Sequence, residues 1–132
     1  MIDASVTNPA TGEVVRFIAE TPEVLTMRVT WPRPGHRATE HVHPNMEETW
    51  RVLDGRASFA IDGVTVEATA GSVVTAPSGR RHVAWNSGDG ATELIIEMRP
   101  GLRWAEFTSR FFAGDDPIGL LREFANEVTL PR

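Results

Sequence analysis

Residues 35–55 read GHRATEHVHPNMEETWRVLDG, and residues 71–86 read GSVVTAPSGRRHVAWN. All four of the chain's histidines stand in these stretches, and three of them, His41, His43 and His82, are candidate donors to one metal ion. Successive side chains of a strand alternate between its faces, so His41 and His43 project together while Val42 points away. Pro44-Asn45-Met46-Glu47 reads as a turn, and Glu48 opens the next strand alongside the pair. A carboxylate oxygen added to imidazole nitrogens makes a mixed nitrogen and oxygen set. His82 lies far along the chain, so closure of a sheet has to deliver it. Glu47 is the rival carboxylate one position earlier. His36, in the loop opened by Pro34-Gly35, is assigned no role.

Outward from these stretches the chain reads as short strands cut by turns, the mark of a sandwich or barrel. Residues 13–20 and 23–31 are β-rich. Leu25, Met27, Val29 and Trp31 alternate with Thr26, Arg28 and Thr30, as in a half-buried strand. Further strands are expected at 48–53, 56–61, 64–68, 72–76, 82–86 and 91–99. Asp54-Gly55 and Asp62-Gly63 both read as hairpin turns, because glycine tolerates the positive φ of tight turns. After residue 99 the period changes. Trp104, Phe107, Phe111 and Phe112 recur at helical spacing, as do Leu120, Leu121, Phe124 and Val128. Gly114 is placed to end one helix, and Asp115 or Asp116 before Pro117 to start another. These helices are expected to pack on the outside of the barrel, the alternative being a lid on the active site.

Composition narrows the chemistry. At 132 residues the chain is sized for one domain. Its net charge of −5 gives no electrostatic support to nucleic-acid binding. Cysteine and tyrosine are absent, and all 13 basic residues are arginine. Thiolate, phenol and Schiff-base chemistry therefore have no side chain to carry them. No Gly-x-Ser-x-Gly elbow occurs. The N-terminal residues lack a basic start followed by an apolar run, and no apolar stretch approaches the ~20 residues of a membrane span. The expectation is a cytoplasmic protein with no membrane partner.

The spacing from Gly35 through His41, His43 and Glu48 to Gly55 resembles the first motif of the cupins at every anchor. Gly71, Pro77, Ser78, Gly79, His82 and Asn86 resemble their second motif equally well. Arg99-Pro100-Gly101-Leu102-Arg103 followed by Ala105-Glu106-Phe107 is similar to a bacterial subgroup of single-domain cupins. The resemblance implies an all-β fold, a double-stranded β-helix or jelly-roll barrel of six or more strands with C-terminal α-helices. Residues 1–132 would form one cupin domain, with the barrel core over 13–99 and the helical tail over 102–130. It also implies one divalent metal ion (Fe, Mn, Ni, Co, Cu or Zn) held by His41, His43, Glu48 and His82. The gap from Glu48 to Gly55 fits the motif and that from Glu47 does not. Similar cupins are commonly dimers. A homodimer is expected, with the strand at 13–20 a candidate to pair or swap across subunits.

Three imidazoles and one carboxylate leave about two positions open on a six-coordinate ion, for water, dioxygen or substrate oxygens. By strand parity Trp50 and Val52 share the face of Glu48, while Ala84 and Asn86 share that of His82. Met27 or its neighbour Arg28 is expected to reach the same cavity from the adjoining strand; an inward Arg28 would pair an acidic substrate, and the expectation is that it faces solvent. Arg80 and Arg81 belong to a solvated loop at the rim. The partner implied is a small organic molecule, and no catalytic side chain beyond the ligands is assigned. The reading is a metal-dependent enzyme of dioxygenase, isomerase, cyclase or lyase type. The alternative is a non-catalytic cupin that binds or senses a small ligand.

Overall fold

The computed structural model describes residues 2–36 and 38–132. They form ten strands and two short helices. The strands are β1 (Ser5–Thr7), β2 (Val14–Glu20), β3 (Leu25–Trp31), β4 (His41–Val42), β5 (Glu47–Asp54), β6 (Arg56–Ile61), β7 (Val64–Thr69), β8 (Val73–Ala76), β9 (Arg81–Asn86) and β10 (Thr92–Arg99). The helices are α1 (Trp104–Phe112) and α2 (Pro117–Glu123). A six-stranded sheet runs β1-β2-β3-β10-β5-β8 and a four-stranded sheet runs β4-β9-β6-β7, antiparallel throughout. This is the jelly-roll barrel expected, with the helices at its C-terminal end.

The period-two pattern of β3 sets the core. Leu25, Met27, Val29 and Trp31 are buried, while Arg28 points out and pairs with Glu93 at 3.1 Å. From β5, Trp50 and Val52 are buried beside Glu48, and from β6, Ala57 and Phe59 face them. The Trp50 and Phe59 rings meet at 4.7 Å between centroids, an aromatic contact that joins the two sheets.

The two Asp-Gly pairs do different work. Asp62-Gly63 is the two-residue hairpin expected: β6 and β7 pair through Ile61↔Val64, and both loop residues have positive φ, 51° and 82°. Asp54-Gly55 is no hairpin. β5 and β6 lie in different sheets, so the chain turns a barrel corner there. Gly55 is required for two reasons. Its φ is 85°, and a Cβ would lie 2.6 Å from both the Ala91 carbonyl oxygen and Thr92 Oγ1. A dipeptide reports local torsion, and both sites demand positive φ; which sheet the next strand joins is a long-range matter.

Within the chain β2 pairs on one side with β1 and on the other with β3. The sheet edges are β1, β8, β4 and β7. Among the described residues no helix is long and apolar enough to cross a membrane.

Candidate metal centre

β4 and β9 pair with His41 directly opposite His82, which is how barrel closure delivers the distant histidine. Glu48 arrives from the other sheet, on β5, between Met98 and Ala76 of its neighbouring strands. His43 follows β4, and all but His41 of the four are buried; His41 is half-buried. One donor atom from each of the four lies within 4.8 Å of the others, so the group could hold a metal ion. Glu47, the rival, is exposed and outside the group.

The hydrogen bonds show why the site suits a cation. The Nδ1–H of His41 donates to the Thr39 carbonyl at 2.7 Å, and that of His43 to the Glu127 carbonyl at 2.8 Å. His82 Nδ1 faces the Arg80 carbonyl at a longer 3.4 Å. A carbonyl only accepts, so Nδ1 carries the proton and the lone pair of a neutral ring sits on Nε2. Those lone pairs converge on a carboxylate: Glu48 Oε1 lies 3.1 Å from His43 Nε2 and 3.0 Å from His82 Nε2. Acceptor facing acceptor at that distance is repulsive unless a proton or a metal ion lies between them. The donor set therefore fits a metal ion, with the tautomers already set for binding.

The charges follow the same logic. Without an ion, a proton between the rings and the carboxylate takes its place: burial alone would raise the Glu48 carboxyl, but the resulting hydrogen bonds with His43 and His82 outweigh it and hold the group well below the usual carboxylate range. Burial and the neighbouring His43 and His82 rings push His41 down to about 4. Burial also works against the charge on His82, yet its bond to Glu48 prevails and raises it. One carboxylate thus stays ionised, and His41 stays neutral, over the ordinary pH range.

A cavity of about 520 Å³ opens onto this group, and His41, Glu48 and His82 line it. Met27, Trp50 and Ala84 line it, joined by Val29 and Ile96. Two expected lining residues do not reach it. Val52 is sealed in the apolar core. Asn86 is buried and spends its side chain on the backbone. Its amide donates to the carbonyls of Trp31, Arg33 and Gly90, while its oxygen accepts from Gly88 N–H and the Thr92 hydroxyl. Parity placed Asn86 on the inner face, but the barrel end there is closed by the loops it ties together. Arg80 is spent on Asp62 at 2.8 Å, and neither it nor Arg81 lines the cavity.

Of the two placements open to the C-terminal helices, the outside of the barrel and a lid, they take the second and roof the site. Trp104, Phe107, Phe111 and Phe112 of α1, with Leu120 and Leu121 of α2, line the cavity. Trp104 meets the His43 ring edge-on at 4.7 Å and stacks on Phe107 at 4.8 Å. The same amphipathic pattern fits either location, because periodicity reports which face is apolar and not what it covers. The helices begin and end where expected. Asp116 Oδ2 caps α2 by accepting from Gly119 N–H at 2.9 Å, and Gly114 follows α1 with φ of 94°. The segment after α2 is strapped to the ligand strand. Val42 and Thr129 exchange backbone hydrogen bonds, and Asn45 Nδ2 donates to the Asn126 carbonyl at 3.0 Å.

Sequence reasoning passed over three features of the site. Trp104 carried a signal in its helical spacing. His36 and Glu13, which also line the cavity, carried none beyond their residue types. The Glu127 carbonyl that orients His43 is a main-chain group, and no residue type encodes it.

The chain matches the cupin domain family over residues 28–97, and it belongs to that family. It is similar to the polyketide synthase CurC of Streptomyces cyaneus, 35% identical over 52% of this chain and 44% of that protein. It therefore spans less than half the length of that relative. It is also similar to the protein SchB of Streptomyces halstedii, 34% identical over 67% of each chain. Among solved structures, an RmlC-like cupin from Shewanella frigidimarina superposes with a TM-score of 0.66 at 18% identity, over 76% of this chain and 86% of that one. That likeness concerns the fold alone.

Proposed function

We propose that this cupin is a metal-dependent enzyme acting on a small, largely apolar, oxygen-bearing molecule of polyketide type. The observation that carries the reading is the convergence of four donor atoms at the wall of an apolar cavity roofed by α1 and α2. His41, His43, Glu48 and His82 would hold the ion. When bound, the metal supplies a Lewis acid able to polarise a carbonyl and stabilise an enolate. A polyketide chain, rich in carbonyls with acidic C–H groups between them, is a fitting substrate for isomerisation or cyclisation of that kind. The similarity to a polyketide synthase supports this choice of substrate class.

The chain's own residues have separable tasks. The Glu127 carbonyl holds His43 in the tautomer that leaves Nε2 free. Glu48, ionised and buried, offers negative charge in a site with little water to screen it. Trp104 and Phe107 exclude water from the side of α1, which strengthens electrostatics at the centre. Met27, Trp50, Ala84 and Ile96 give the substrate apolar contact and little hydrogen bonding, so orientation depends on the few polar groups present.

The test is elemental analysis of protein purified without chelator, followed by incubation with linear and cyclic poly-β-diketones. Product formation is followed by chromatography and O₂ consumption by electrode. The expected result is stoichiometric metal and conversion without O₂ uptake. Conversion with O₂ uptake replaces the isomerase or cyclase reading by a dioxygenase. Stoichiometric metal with binding and no turnover favours the non-catalytic reading, and metal-free protein refutes the proposal.

A further inference from the structure

The cavity has a second polar pole. Glu13, from the segment before β2, and His36, from the loop between β3 and β4, both line it. Their side chains are 17% and 8% exposed, and His36 Nε2 lies 3.4 Å from Glu13 Oε1. The other oxygen, Oε2, accepts from the Trp31 indole N–H at 2.9 Å, which fixes the carboxylate. The His36 ring packs near Trp31 at 5.7 Å between centroids. The His36 backbone is pinned as well: Gly35 N–H donates to the Asn86 carbonyl at 2.8 Å, and Asn86 N–H to the His36 carbonyl at 3.0 Å.

One atom of this cluster is unaccounted for. His36 Nδ1 is the buried side-chain polar atom with no hydrogen-bond partner among the described residues. A polar atom left so is costly, and in a native protein it calls for a reason. Nε2 faces an acceptor-only carboxylate, so the proton of a neutral His36 ring belongs on Nε2 and Nδ1 presents a lone pair. A lone pair is satisfied by a donor, which in an oxygen-bearing molecule without N–H groups is a hydroxyl; a carbonyl only accepts. This pole also lies apart from the metal-ligating group. Asn86, which pins His36, stands four positions along β9 from His82, about 13 Å of strand.

We propose that Glu13 and His36 form a second anchor of the cavity, which takes a hydroxyl at the end of the substrate remote from the metal centre. The anchor selects elongated or multi-ring molecules that carry oxygen at both ends, and His36 is its specificity-determining residue. This deepens the proposed function and rests on its reading of the cavity as the substrate site.

The experiment compares two probes on the metal-replete protein by ligand-induced tryptophan quenching. One is anthraflavic acid, an anthraquinone with a hydroxyl on each end ring. The other is the analogue with a single end hydroxyl. Wild type is expected to bind the first about tenfold more tightly, the worth of one well-placed hydrogen bond in a buried site. His36→Phe keeps a ring against Trp31 and is expected to abolish the preference with metal content unchanged. A second readout needs no variant: in wild type, the Nδ1 nitrogen resonance of His36 should shift with anthraflavic acid and not with the analogue. Equal affinities in wild type, no binding of either probe, a preference that survives in His36→Phe, or an unmoved Nδ1 resonance each overturn the anchor. His41→Ala separates the two proposals. If it leaves both affinities unchanged while His36→Phe removes the preference, the anchor stands and the metal reading falls.

Discussion

Truncating Asn86 to alanine tests whether that residue is a structural tie or part of the cavity wall. Its amide nitrogen lies 3.2, 3.1 and 2.8 Å from the carbonyls of Trp31, Arg33 and Gly90. Its oxygen lies 3.0 Å from both Gly88 N and Thr92 Oγ1. Two N–H groups serve three carbonyls, so one bond is shared. Not every lost partner costs equally. Arg33 and Gly90 are exposed, and water can replace the amide at their carbonyls. Trp31 and Thr92 are 3% and 0% exposed, and no water reaches them without opening the fold. The Thr92 hydroxyl retains the Arg56 carbonyl as an alternative acceptor at 2.9 Å, so its loss is partial. Counting about 1–3 kcal/mol for the stranded Trp31 carbonyl, and about 1 kcal/mol for the Gly88 bond and the partial Thr92 loss together, gives a destabilisation of about 3 kcal/mol. For a domain of this size that lowers the melting temperature by about 10 °C. Thermal and urea denaturation of the metal-free protein measure it, and elemental analysis of the folded variant should show wild-type metal content. A loss under about 1 kcal/mol, or loss of metal with stability intact, would refute the assignment.

Other consequences are equally direct. Glu48→Gln should lower metal content severely, because it removes the one buried anionic donor, while the exposed Glu47→Gln should leave it intact; equal effects would contradict the donor set. Acidification should weaken the metal-free protein between pH 6.5 and about 4: the unfolded chain protonates His41 near 6.5 but the folded chain only near 4, so the unfolded state binds more protons in that window and stability falls with pH. His82 has the opposite sign, since its raised value adds stability at low pH that is lost as pH rises through it, so the site contributes most near pH 6.5. Removing His41 with alanine should flatten the acid limb of a melting-temperature profile, and an unchanged slope would count against its depressed value. Ala84→Phe should fill the cavity, abolishing binding of polyketide-type ligands while metal content is kept; release of the metal would place Ala84 in the core instead. Gly55→Ala should cost several kcal/mol in chemical denaturation, since it combines positive φ with backbone atoms at 2.6 Å, and a near-neutral effect would mean the corner can relax.

In the sequence, the resemblance of residues 35–86 to the two cupin motifs carried the candidate donor set and the class of fold. Local periodicity underlies part of that pattern. Leu25, Met27, Val29 and Trp31 alternate because one face of β3 is buried, and His41-Val42-His43 puts two imidazoles on one side by the same rule. The spacing of glycines and histidines around them did the rest. The tertiary structure alone decided where each element was put. Asp54-Gly55 and Asp62-Gly63 share one torsional preference, yet only the second joins strands of one sheet. The aromatic stripe of α1 demanded burial without naming a surface, and the fold set it over His43. Parity turned Asn86 inward, but the loops drawn in around Trp31, Arg33 and Gly90 claimed its amide before the cavity could. His36, a loop residue with no role assigned from sequence, became a cavity residue only when Glu13, Trp31 and Asn86, each distant from it in the chain or on another strand, closed around it. Side-chain direction is a local property of φ, ψ and period. Partnership is set by contacts between segments far apart in sequence, and no local pattern carries that information.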